Sequence, residues 1–99
     1  MTPLTFNMAP SVRAAAMHCE RGSYEDFGEF HSDWDCTHPH RIYQRHPRKL
    51  VLNACEVECV LASLDNAADL CADHELPTLR RAAPKIARLA DEIREAVAS

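Results

Sequence analysis

The side chains best suited to chemistry in this 99-residue chain are its five cysteines and six histidines. They cluster. Cys36, His38 and His40 alternate in one short stretch, His46 follows, and Cys55 and Cys59 stand one helical turn apart. Thiolates at i and i+4 of a helix share a face and can bind one soft metal ion. His46, Cys36, His38 or His40 would complete a tetrahedral zinc or copper site. The usual structural zinc patterns, however, place two cysteines in a turn and repeat the pair later. Here the regular pair falls in an apolar stripe, and cysteine also packs as a small hydrophobe. The favoured expectation is therefore packing, with no cofactor; zinc or copper binding through Cys55 and Cys59 is the alternative.

Two further pairs are His18-Cys19 and Cys71-x2-His74. Adjacent helical residues diverge by about 100°, which argues against a paired nucleophile and base at 18 and 19. Cys71 falls on an apolar seam, and a histidine near a helix C-terminus suits the helix dipole without any ligand role. With two glycines in the chain, no phosphate loop, dinucleotide fingerprint or nucleophile elbow can be built. No catalytic residue is assigned, and the chain reads as a non-enzyme.

Charge suggests binding instead. The net charge is −4 and unevenly distributed. Residues 20–35 carry six acids and one arginine, whereas residues 38–49 carry Arg41, Arg45, Arg48, Lys49 and three histidines. The first stretch gives a helix an acidic face of Glu25, Asp26, Glu29, Asp33 and Asp35; the second is a basic loop containing Arg41, Arg45 and Arg48. The acidic segments on both sides of that loop argue against nucleic acid. The expected function is a small interaction or regulatory protein, an inhibitor or adaptor, that binds a protein partner through these surfaces. A second copy of the chain is an alternative partner.

The elements that must position these residues are predicted to be all-α. Leu50, Ala54, Val57, Leu61, Leu64, Ala68 and Cys71 recur in steps of 4 and 3, a heptad seam. Val51, Leu52, Cys55, Cys59 and Ala62 form a second apolar side, which places this helix at the centre. Leu79, Ala82, Ile86, Leu89, Ile93 and Ala96 repeat the pattern. The two seams predict an antiparallel helical hairpin over about 48–73 and 78–98. Thr78 is the expected N-cap of the last helix, and Pro84, opposite its seam, marks a kink or break. Asp65, Asp69 and Asp73 would face Arg80, Arg81, Lys85 and Arg88, and Arg48 and Lys49 would face Asp91, Glu92 and Glu95.

Two shorter N-terminal helices complete the bundle. One starts at Ser11 with Val12, Ala15, Ala16 and Cys19 on its apolar side and ends at Gly22. The other starts at Ser23, with Tyr24, Phe27, Phe30 and Trp34 covering the second side of the central helix. Residues 1–10 are an irregular arm between Pro3 and Pro10. Residues 36–47 are a Pro/His-rich loop, broken by Pro39 and Pro47 and anchored by Ile42 and Tyr43.

Composition fits one globular domain over 1–99, at 46% hydrophobic and 26% charged residues. No apolar run reaches membrane-spanning length, and residues 1–17 lack the pattern of a secretory signal. The expected location is the cytoplasm, with reduced thiols.

Overall fold

The computed structural model of the chain describes residues 3–19 and 39–98. In order they form strand β1 (Leu4–Asn7), helix α1 (residues 10–19), short helix α2 (Pro39–Tyr43), strand β2 (Lys49–Leu52), helix α3 (Glu56–Ala72) and helix α4 (Pro77–Ala98). The predicted helical class is present, with a two-stranded antiparallel sheet added to it. The helix expected over 23–35 and its aromatic stripe lie outside the described residues.

The main departure from the sequence expectation is at 48–55, which opens no helix. Leu50 and Leu52 are fully buried, Val51 is half-buried between them and Lys49 is exposed. That alternation has the period of a strand. Its partner comes from the supposedly irregular arm, where Leu4 and Phe6 pack on the core and Thr5 and Asn7 face outward. Leu4 pairs with Leu52 and Phe6 with Leu50, so both apolar cross-strand pairs lie on the inner face. Met8, also buried, extends the ladder by donating its N–H to the Arg48 carbonyl at 2.9 Å. Ala54, the second position of the predicted seam, is exposed. Pro47 therefore lies just before a strand, not a helix.

The turn from β2 into α3 is built by a reciprocal pair. The Glu56 N–H donates to the Asn53 side-chain oxygen, and the Asn53 N–H donates to the Glu56 carboxylate, both at 3.0 Å. This is capping-box chemistry with Asn in place of Ser or Thr. It fixes the start of α3 about two turns later than the heptad count implied.

From that point α3 follows the seam. Val57, Leu64 and Cys71 are buried, and Leu61 and Ala68 are half-buried against the core. Val60, Ser63 and Ala67 are buried as well, so the inward face is broader than one heptad stripe. On α4, Leu79, Ala82, Ile86, Leu89 and Ile93 are all buried, and Ala96 is half-buried. The two helices form the hairpin the seams predict, joined by residues 73–76.

Helix starts differ from expectation in a consistent way. Proline occupies the first position of α1, α2 and α4, where its missing N–H costs nothing. The Ala9 carbonyl accepts from Arg13, and the Leu76 carbonyl accepts from Leu79 and Arg80. Ser11 and Thr78, the predicted caps, thus lie just inside their helices. Pro39 likewise opens a helix instead of breaking one. Pro84 sits exposed inside a continuous α4.

The interhelical charge pattern is also different. Asp65 pairs with Arg94, which reaches Asp91 too at 3.3 Å. Arg80 turns back on the connection and donates to the carbonyls of His74 and Glu75 at 2.9 and 3.0 Å. Among the described residues, no ion pair joins Arg48 or Lys49 to Asp91, Glu92 or Glu95. Lys49 begins β2, and Arg48 immediately precedes it, so neither lies on the central helix.

Candidate functional site

The basic segment is mounted on the core at three points. The first is α2. Ile42 and Tyr43 are fully buried, as their apolar character predicts, and the Tyr43 hydroxyl meets the Ser63 hydroxyl of α3 at 2.7 Å. The second is α1, whose Arg13 donates to the His46 carbonyl at 2.9 Å.

The third is an ion pair. The Arg45 guanidinium donates to both oxygens of Glu56, at 2.8 and 2.6 Å. Glu56 is fully buried, whereas the Arg45 side chain is 36% exposed. Arg45 also donates to the Val51 carbonyl at 3.3 Å. The carboxylate thus takes the two Arg45 bonds and the Asn53 N–H. A buried charge requires such partners, because an unpaired one would be strongly destabilising. The hydrogen bond to Glu56 raises the Arg45 pKa above its ordinary value, partial desolvation opposes the rise, and Coulomb attraction to Glu56 adds to it. A raised pKa on a cation keeps its stabilisation complete below the ordinary value and loses it only as pH climbs past the folded one. From the arginine side, the pair therefore persists through the whole ordinary pH range.

These mounts leave Arg41, His46, Arg48 and Lys49 exposed along the segment. Arg45, expected as a contact residue with Arg41 and Arg48, is paired with Glu56 while its side chain stays partly exposed. His40 is half-buried and its Nε2 lies 3.3 Å from the Gln44 amide nitrogen. The acidic-face residues Glu25, Asp26, Glu29, Asp33 and Asp35 lie outside the described residues.

The candidate metal ligands are distributed differently from the sequence expectation. Cys55 is exposed immediately before α3, and Cys59 is buried in its first turn. The pair does not occupy mid-helix. His46 is exposed on the loop, and Cys36 and His38 lie outside the described residues. Among the described residues, no group of three or more His, Cys, Asp or Glu side chains is arranged to hold a metal ion.

A different juxtaposition joins the two minor pairs. Cys19 of α1 and Cys71 of α3 bring their sulfurs within 3.3 Å, both buried. The His18 and His74 rings meet edge-on with centroids 5.6 Å apart. Each half was legible in the sequence, but their meeting depends on how α1 docks against the end of α3. The Asn53–Glu56–Arg45 network was missed, although Asn-x-x-Glu before an apolar run is a readable helix start. The heptad seam of 50–71 passes straight through it.

Comparison with protein-family models, curated proteins and solved structures yields no match.

Proposed function

We propose that this chain is a small cytoplasmic, non-catalytic interaction protein that regulates a protein partner, as an inhibitor or adaptor. One observation carries the reading: the basic segment is exposed in its cations but fixed in its backbone. Ile42, Tyr43, the Arg45–Glu56 pair and the Arg13–His46 bond hold it down. Arg41, Arg48 and Lys49 project from it. A surface already ordered loses less conformational freedom on binding, so more of its contact energy appears as affinity. Complementary charge then sets approach rate and orientation. An acidic protein surface is the natural complement of 41–49, and the acids of 25–35 would engage a basic one.

The test is charge reversal. Affinity capture with cross-linking from a lysate would compare the wild-type chain with an Arg41→Glu, Arg48→Glu, Lys49→Glu variant. The expected result is a discrete partner at fixed stoichiometry, recovered less as salt rises and lost in the variant. Equal recovery of the same proteins by both chains would defeat the reading.

A further inference from the structure

We infer that Cys19 and Cys71 form a redox-reactive dithiol, a site at which oxidation bridges α1 to α3. The two sulfurs lie 3.3 Å apart in the core. A disulfide needs about 2.05 Å, so a closing motion on the order of 1 Å suffices. The approach is also oriented. The Cys19 thiol lies between the Ala67 carbonyl, at 4.0 Å, and the Cys71 sulfur. Ala67 and Cys71 are one turn apart on α3, so Cys19 rests on a single edge of that helix. The His18–His74 edge contact pins the same junction from outside.

Access differs between the two thiols, and that assigns the order of events. Cys19 is 7% exposed and Cys71 is 0% exposed. Cys19 is therefore the first to meet an oxidant, here a hydroperoxide. Its sulfur attacks the peroxide oxygen, the O–O bond breaks, and Cys19 becomes a sulfenic acid with release of the alcohol or water. The Cys71 sulfur then attacks the Cys19 sulfur. An S–S bond forms, the S–OH bond breaks, and the hydroxyl leaves as water with the Cys71 proton. Two thiols have lost two electrons and two protons, and the peroxide has gained both. A thiol reductant reverses the step by exchange.

The bridge would close a loop of 52 residues that includes α2, β2 and the basic segment. Closing so long a loop restricts the unfolded chain more than the folded one. Oxidation should thus raise the stability of the fold that carries residues 41–49, and the dithiol stands independently of the partner reading.

The experiment is disulfide mapping on the intact wild-type chain. The reduced protein is exposed to hydrogen peroxide at a small molar excess, alkylated under denaturing conditions, digested without reductant and analysed by mass spectrometry. The expected product is a peptide pair joined through Cys19 and Cys71, with an upward shift of the thermal midpoint of roughly 10 °C that dithiothreitol abolishes. The pair should persist in a Cys36→Ser, Cys55→Ser variant and vanish in Cys71→Ser. Because the linkage is read in the wild-type chain, the result does not depend on any variant folding. The inference is overturned if both thiols remain alkylatable, if either joins another cysteine, if Cys19 proceeds to sulfinic acid without bridging, or if a co-purified metal ion protects both.

Discussion

At the scale of single residues, the strongest constraint is the Glu56 carboxylate. It is fully buried and held by Arg45 and Asn53. Removing the arginine strands a charge in the core, whereas exposed ion pairs such as Arg94–Asp65 contribute little. Arg45→Ala should lower stability by about 2–4 kcal/mol, below the full cost for a buried pair because the guanidinium is partly solvated. Arg94→Ala should cost less than about 1 kcal/mol. Urea denaturation of both variants checks this, and similar midpoints for the two would refute the ranking. Asn53, Glu56 and Arg45 were all visible in the sequence as residue types. Their relation was hidden, because Arg45 and Glu56 sit 11 residues apart and meet only when β2 folds between them. Cys59 is buried, whereas Cys55, expected on the same face, is exposed.

At the scale of elements, periodicity succeeded over the longer helices and failed over the four-residue strands. The seam of α4 and the apolar side of α1 lie buried at nearly every position named. Residues 49–52 could fit either a 3.6 or a 2.0 period, since four apolar-rich residues are too few to decide. The deciding contact is β1, more than 40 positions earlier in the chain, whose own alternation of Leu4, Phe6 and Met8 was a usable signal. The strand assignment makes unequal demands on neighbouring side chains. Leu50→Ala should cost about 2–5 kcal/mol through the cavity it leaves, whereas Val51→Ala, on the outer face, should cost less than about 1.5 kcal/mol. Thermal or chemical denaturation measures both. Comparable losses at the two positions would contradict the sheet register.

At the scale of the whole molecule, the hairpin of α3 and α4 is the platform. The sheet and α1 cover it, and the basic segment runs across from α2 to β2. No helix among the described residues is long and apolar enough to cross a membrane. The charge division into an acidic 20–35 and a basic 38–49 was legible in the sequence, because charge needs no fold to be counted. What the sequence could not supply was which cations are tied inward. Arg45 and Glu56 look like any surface pair until the burial of Glu56 is known. The mount they build is what turns a charged loop into a shaped surface. The measurement that bears on this most directly is hydrogen–deuterium exchange of the chain alone and, under the proposed function, in complex with a captured partner. The account predicts that residues 39–52 are already slow to exchange alone and become slower still in the complex. Fast exchange of 39–45 in the free chain, or a footprint confined to the outer face of α4 with 39–52 unchanged, would contradict it.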